Sequence, residues 1–417
     1  MWPWTLFLLN ILVLSLSLST KSLGIPHLFV FIPMTLVSYG FLQICIDKGF
    51  PPSWWIVTLG PSWFLMGVIL QAKFLGNQRS KIKQSEARNS ERSWGWILVV
   101  VTVTLLSVYH FAIVGVVTFS SQVEVTRFTS IDGSGLFGIP GRMVIFGLPV
   151  LVTVAITQRK RLPRWTVVTS VAIFIFSRLA LGFKGGVYEI AITILIALSI
   201  SSTESGIKMR KTQIMGLGIL SLLFGSWLAT SYATLSKTSG FSIQYIIDRF
   251  TTIPAYPEWL ALLNGHALTN GINVLFYDFH YFMQKYLSTN TGVNFAFDQL
   301  ISSEISGTRR TSDAFLVPVT VGGAGYLLNV VFPYLAIALL VFAGLFFQRT
   351  LFSLSKSPSL MKAIVLAAIL TAIRVFLSNG EGAYLLINLG VVSILLLGLY
   401  LLGQWLAVGT KKSKING

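Results

Sequence analysis

The chain is short of charge. Asp, Glu, Lys and Arg make up 11% of its 417 residues, whereas 54% are hydrophobic. Soluble domains carry about 25% charged residues, so a water-facing exterior over most of this chain is excluded. Cysteine is all but absent. Cys45 alone cannot close an internal disulfide, and within its apolar run it reads as packing. His27, His110, His266 and His280 are far apart, and no Cys/His cluster has metal-ligand spacing. No metal or other cofactor is expected. A basic n-region is missing before the first apolar run, Trp2 to Thr20, and Ser-Leu-Ser-Leu-Ser-Thr makes a poor cleavage site. That run reads as an uncleaved first span. A phosphate-cradling loop of the soluble nucleotide-binding kind is missing too. Gly322-Gly-Ala-Gly325 follows no strand and leads to no Gly-Lys-Ser/Thr. Small residues for close helix contact are the better reading.

What is present is a succession of apolar runs. A spanning helix needs about 20 mostly apolar residues. Runs near 2–20, 24–46, 53–72, 94–119, 141–157, 165–182, 186–202, 213–234, 324–347, 362–378 and 383–407 meet that need, with 141–157 and 186–202 short. The expected fold is all-α, a polytopic integral membrane protein of about 11 transmembrane helices. One membrane domain would fill 1–417.

The net charge of +17 reports orientation. One set of alternate connections holds twenty of the 31 basic residues and three of the 14 acidic ones. The other set has eleven of each, so the whole excess belongs to one side. By the positive-inside rule that side is cytoplasmic, the N-terminus outside and the C-terminus inside. The basic loop 75–93 has no aromatic residue among its charges. Topology and contact with anionic membrane lipids account for it, and no nucleic-acid partner is expected.

The outer face is where chemistry is sought. The segment 236–323 is far longer than ordinary connections, which usually marks function. Phe241-Ser-Ile-Gln-Tyr-Ile-Ile-Asp-Arg-Phe250, Pro257-Glu-Trp-Leu-Ala-Leu-Leu263 and Val274-Leu-Phe-Tyr-Asp-Phe-His-Tyr-Phe-Met283 have apolar residues at helical spacing. Short helices lying on the outer membrane surface are expected there. Two arginines sit inside spans: Arg178, 13 residues past Trp165, and Arg374, 12 past Lys362. At 1.5 Å per residue both lie roughly 18–20 Å from the cytoplasmic edge. Facing lipid, each would cost at least about 2.5 kcal/mol, so each should face a polar cavity or an anionic partner. Lys184 and Glu189 flank the outer turn after Arg178, and Glu381 flanks the last outer turn. The large loop adds Arg249 beside Asp248, and Arg309-Arg310 followed by Asp313. Guanidinium forks bind phosphate and pyrophosphate oxygens bidentately and keep their charge.

This pattern resembles the bacterial O-antigen, capsule and exopolysaccharide repeat-unit polymerases, the Wzy-like family. Ser177-Arg-Leu-Ala-Leu-Gly-Phe-Lys-Gly-Gly186 looks like the family's Ser-Arg-Gly or Ser-Lys-Gly turn between two middle spans. Asp248-Arg-Phe250 looks like the arginine that opens its large outer loop. Asp313-Ala-Phe, then Gly322-Gly-Ala-Gly-Tyr326 and a long apolar run, looks like the segment re-entering the membrane. The detail covers roughly 165–347, and no Arg-x-Gly turn follows Ser177, so Arg178 and Lys184 both stand for the family's basic residue.

The resemblance implies a membrane-embedded glycosyltransferase (GT-C-like) architecture in the bacterial inner membrane. It also implies the reaction: transfer of a glycan from undecaprenyl pyrophosphate to the end of another lipid-linked oligosaccharide repeat unit at the outer leaflet. A chain-length regulator is a possible partner. Catalytic candidates are Asp313 as general base with Arg178 and Arg310 on the leaving pyrophosphate. Lys184, Arg249, Arg309, Arg374, Glu381 and His280 are candidates for substrate binding, with His280 and Glu381 as alternative bases. The nearest rival, an O-antigen ligase, carries a late-loop histidine where this chain has Ser312-Asp313. The rival of another class is a transporter or flippase of lipid-linked oligosaccharide.

Overall fold

In a hydrocarbon environment a backbone must satisfy its own hydrogen bonds, and apolar runs of this length do so as helices. A computed structural model describes residues 2–19, 24–79, 94–116, 138–181, 186–205, 247–248, 251–287, 289–307, 321–356, 359–379 and 382–413. Among them the structure is helical, with no strand. The helices are α1 Trp2–Ser19, α2 Ile25–Lys48, α3 Trp54–Thr58, α4 Gly60–Arg79, α5 Trp94–Val114, α6 Ile139–Thr157, α7 Arg164–Ala180 and α8 Gly186–Ser205. They continue as α9 Thr252–Leu268, α10 Val274–Leu287, α11 Phe297–Ser306, α12 Gly323–Val330, α13 Pro333–Ser355, α14 Leu360–Asn379 and α15 Gly382–Ser413. Six of them, in α2, α5, α6, α13, α14 and α15, are long and apolar enough to cross a membrane. The expected span 213–234 lies outside the described residues.

Prolines explain where helices depart from the expected spans. The run 53–72 is broken at Leu59, because Pro61 has no N–H for the Val57 carbonyl one turn back. Side chains from other helices fill the gap. Ser38 Oγ reaches the Val57 carbonyl at 3.2 Å, and Asn10 Nδ2 donates to the Thr58 carbonyl at 2.7 Å. Asn10 Oδ1 accepts from the Ser62 backbone N–H at 3.2 Å and from its hydroxyl at 2.5 Å. The run 324–347 is likewise two helices, α12 and α13. Val331 between them is extended, and Pro333 starts α13 at the helix position where its missing N–H costs least.

The chain forms two compact units. Unit 1 comprises Met1–Ile82, Ser239–Arg349 and Ala372–Leu386; unit 2 comprises Lys83–Thr238, Thr350–Thr371 and Ile387–Gly417. In unit 1, α1 and α2 are antiparallel, with Trp4 and Tyr39 rings 5.7 Å apart. His27, at the start of α2, contacts Gln348 near the end of α13 at 2.6 Å. In unit 2, α5 and α7 run parallel: Trp96 and Thr166, each third in its helix, share a 3.2 Å hydrogen bond.

Glycines set the close crossings. A Cβ on Gly67 would meet the Val341 carbonyl, and one on Gly344 the Phe64 carbonyl, so α4 and α13 touch backbone to backbone. Gly95 and Gly403 do the same for α5 and α15, with Gly403 Cβ placed 2.7 Å from Gly95 Cα. Small residues at helix crossings are the usual means of packing in lipid, where apolar burial gives no driving force between helices.

The region 252–306 contains the short helices expected of the large loop, but α9 does not lie flat across α2. Its first residues pack on Gly40, where a Cβ would collide with the Thr251 carbonyl. Trp259 Nε1 donates to the Gly49 carbonyl at 3.0 Å, just past the end of α2. Thus α9 runs beside the last turns of α2 in the same direction. The periodicity of Pro257 to Leu263 reflects a helix packed against a helix rather than one lying on a surface. α10 keeps the surface character, with Phe276 (62%) and Phe279 (48%) exposed on one side while Tyr277 packs with Val293 and Leu300 on the other.

Gly67→Leu and Gly344→Leu should each lower the thermal stability of the detergent-solubilised protein, by at least the roughly 1–3 kcal/mol typical of overpacking. Gly390→Leu, with nothing within 4 Å of its Cβ, should leave the melt unchanged. Equal melts for all three variants would show that the glycine crossing does not hold unit 1.

Candidate functional site

The charged centre of unit 2 begins with a proline. Pro149 cannot donate to the Ile145 carbonyl, and the backbone before it widens into a π-turn, Met143–Gly147, in which the Leu148 N–H reaches the Met143 carbonyl. The Ile145 carbonyl instead accepts Nη2 of Arg178 at 2.6 Å. Arg178 is buried (2% exposed) in the last turn of α7, and Glu189 occupies the first turn of α8. Each charge sits at the end of its helix that the helix dipole favours. Nη2 donates to Oε1 of Glu189 at 3.1 Å, and Nε lies 3.0 Å from Oε2, a Coulombic contact off the hydrogen-bond axis. The Phe174 ring adds a cation–π contact at 5.3 Å. Arg178 therefore does not snorkel; it meets the anionic partner that an intramembrane guanidinium requires.

A second buried arginine reaches the same part of α6. Arg142 (5% exposed) lies three residues before Ile145, about one turn away and on the same helix side. Its Nε donates to Oδ1 of the fully buried Asn388 at 2.6 Å. Arg142 and Arg178 are thus brought from different helices to one end of α6. The guanidinium of Arg178 is anchored at two points, and a guanidinium fork fixed in this way suits a phosphate oxyanion.

Unit 1 holds two sequestered carboxyl groups, Glu258 buried and Asp278 half-buried. Glu258 of α9 (2% exposed) accepts the Gly325 N–H at 2.6 Å, which caps the first turn of α12, while burial pushes its carboxyl up to about 8. Gly322, at φ +82°, and Gly325 leave room for that carboxylate; a Cβ on Gly322 would lie 2.7 Å from Oε2. A Cβ on Gly323 would lie 2.8 Å from the Phe376 carbonyl oxygen. The Gly322-Gly-Ala-Gly325 run is therefore a close-contact segment, as expected, with a carboxylate as one of its contacts. Asp278 of α10 accepts the Phe297 N–H at 2.8 Å and the Tyr326 hydroxyl at 2.9 Å. Burial pushes its carboxyl up to about 6 despite those two hydrogen bonds.

Among the other candidates, Arg374 is half-buried in the part of α14 that belongs to unit 1. His280 is exposed on α10 between the Phe276 and Phe279 side and the Thr291 hydroxyl, which donates to its carbonyl at 3.0 Å. Asp313, Arg310, Arg309, Arg249, Lys184 and Glu381 lie outside the described residues. The sequence reading passed over Arg142, taken as the end of a loop, and Glu258, Asp278 and Asn388. An arginine immediately after Pro-Gly at the head of an apolar run was the available signal for Arg142. Glu258 and Asp278 within otherwise apolar helical patterns were the signal for sequestered carboxyl groups.

No protein-family model, curated protein or solved structure matches the chain.

Glu189→Leu should destabilise the protein by about 3–5 kcal/mol, since it strands the buried Arg178 charge, and Arg178→Met by less, since the Glu189 it leaves is 26% exposed. The double variant should lose less than the sum of the two; additive losses in detergent melts would mean the pair is not coupled. For Asp278, the folded carboxyl is raised to about 6, so the folded state holds its proton more tightly than the unfolded chain. Its contribution to stability therefore falls as pH rises from about 4 to 6 and stays low above that. Asp278→Asn should flatten this slope, and parallel melting curves for the two proteins across pH 4–7 would contradict it.

Proposed function

We propose that the protein is a lipid-linked repeat-unit polymerase. It transfers a glycan from undecaprenyl pyrophosphate to the end of another lipid-linked repeat at the outer leaflet of the bacterial inner membrane. With it goes the finer architecture: about eleven spans, a GT-C-like arrangement, the N-terminus outside and the C-terminus in the cytoplasm. The observation that carries this reading is the pair of buried arginines, Arg142 and Arg178, at one end of α6. Guanidiniums fixed in an apolar helix bundle are costly, and binding the phosphates of a lipid carrier gives them a role. The antiparallel α1 and α2 and the parallel α5 and α7 agree with the alternation that this topology requires.

In the reaction the acceptor hydroxyl oxygen attacks the anomeric carbon. The glycosyl carbon–oxygen bond to phosphate breaks, polyprenyl pyrophosphate leaves, and the hydroxyl proton passes to a base. Arg142 and Arg178 stabilise the charge that develops on the leaving phosphate, an effect worth several kcal/mol when donors are fixed in advance. Arg310 is a further catalytic candidate, and Lys184, Arg249, Arg309 and Arg374 are candidates for substrate binding. Asp313 is the first choice of base, with His280 and Glu381 as alternatives. Glu258 is not among them, because its carboxylate already caps α12.

A flippase is the second reading, and one observation favours it. Broken helices such as α3–α4, bridged by Asn10, are common at transporter sites.

The purified protein, incubated with lipid-linked repeat units and no energy source, should lengthen them, as read on a gel. Passage of the unlengthened substrate across vesicles would replace the polymerase reading with the flippase one. Arg178→Ala should cut polymer formation by about 100-fold or more, and full-length polymer from that variant at normal expression would remove Arg178 from the mechanism.

A further inference from the structure

Unit 1 contains a cavity of about 420 Å³ lined by Trp4, Gln43, Ile44, Ile46, Asp47, Asp248 and Thr252. The first turn of α1, the last two turns of α2 and the entry to α9 form its walls. In the proposed topology the first turn of α1 and the last turns of α2 are outer ends. Its size falls in the range of small-ligand sites, roughly 300–1,000 Å³.

The lining has a division of labour. One wall is aromatic and held in place: Trp4 packs on Phe7 at 6.4 Å and on Tyr39 at 5.7 Å, and Gln43 Nε2 donates to the Tyr39 hydroxyl at 2.9 Å. The polar part consists of the carboxylates of Asp47 and Asp248, the Gln43 amide and the Thr252 hydroxyl. Carboxylates only accept hydrogen bonds, so they suit the hydroxyl donors of a sugar. An indole face matches the C–H side of a pyranose ring, since aromatic rings combine apolar area with fixed geometry. Lys48, next to Asp47, has its ammonium turned onto the Tyr256 and Trp259 rings, 4.7 and 5.9 Å from their centroids. Two carboxylates in one cavity disfavour an anionic group there.

We infer that this cavity is a glycan subsite for a neutral or amino sugar, formed by an aromatic wall and the paired carboxylates Asp47 and Asp248. It rests on the polymerase reading for its biological role: it would hold a sugar residue of the lipid-linked repeat and not its phosphates. It also restricts the substrate, because a uronic acid at this position is excluded.

The test is saturation-transfer NMR on the full-length protein in nanodiscs. The probes are the methyl glycosides of glucose, galactose, mannose, N-acetylglucosamine and glucosamine, with methyl glucuronide as the anionic control. Transfer to at least one neutral or amino glycoside is expected, with none to the glucuronide. Asp248→Asn and Asp47→Asn should each weaken binding about tenfold, the loss expected for one charge-assisted hydrogen bond. Trp4→Ala should abolish it while melts confirm folding. Absence of transfer from the whole neutral and amino panel, binding unchanged in the asparagine variants, or equal binding of the glucuronide would each overturn the inference. Polymer formation by the wild-type protein without glycoside binding would sink the subsite and leave the polymerase standing. Glycoside binding as described, without polymer formation, would do the reverse.

Discussion

A carbonyl that a proline frees inside an apolar bundle can be met by a donor from another helix, and two such sites shape their surroundings here. Pro61 and Pro149 free the carbonyls of Val57 and Ile145, one in each unit. At the first, Ser38 and Asn10 close the gap from neighbouring helices, and a broken helix is tolerated. At the second the donor is a guanidinium. A neutral donor would have satisfied Ile145 at far lower desolvation cost. The use of a charge there is therefore the feature that asks for a functional explanation.

That charge in turn fixes its surroundings. Arg178 needs an anion, and the short connection between α7 and α8 delivers Glu189 within reach. The pair ties the last turn of α7 to the first turn of α8. Arg142 then comes to the same end of α6, held by Asn388. Fixed rather than mobile cations are what electrostatic stabilisation of a leaving group requires, because they do not have to reorganise as charge develops. In unit 1 a buried carboxyl is accommodated by backbone instead, and its burial pushes it up to about 8. Glu258 is buried only because the Gly322–Gly325 backbone presents an N–H and no Cβ to it.

Much of this was legible from residue patterns, and the failures share a cause. Hydropathy located the helices because period and length are properties of the chain alone. It misplaced their breaks at Leu59 and Val331, where Pro61 and Pro333 overrule apolarity. Depth alone marks Arg178 as needing a polar cavity or an anionic partner, and Glu189 flanks the same turn, but no local pattern pairs the two. Arg142 and Asn388, 246 residues apart, meet only through tertiary packing, and no local signal joins them. The helix Pro257 to Leu263 was recognised, but amphipathic periodicity does not distinguish packing on another helix from lying on a membrane, and its site on Gly40 of α2 decided that.

The central claim is that the arginine end of α6 binds the pyrophosphate of a lipid carrier. Native mass spectrometry of the protein released from nanodiscs containing a polyprenyl pyrophosphate tests it without requiring turnover. The account predicts a one-to-one adduct with the pyrophosphate lipid, retained at higher collision energy than the monophosphate adduct, and lost when Arg142 and Arg178 are both replaced by glutamine. No adduct, or one that survives both replacements in a folded protein, would contradict it.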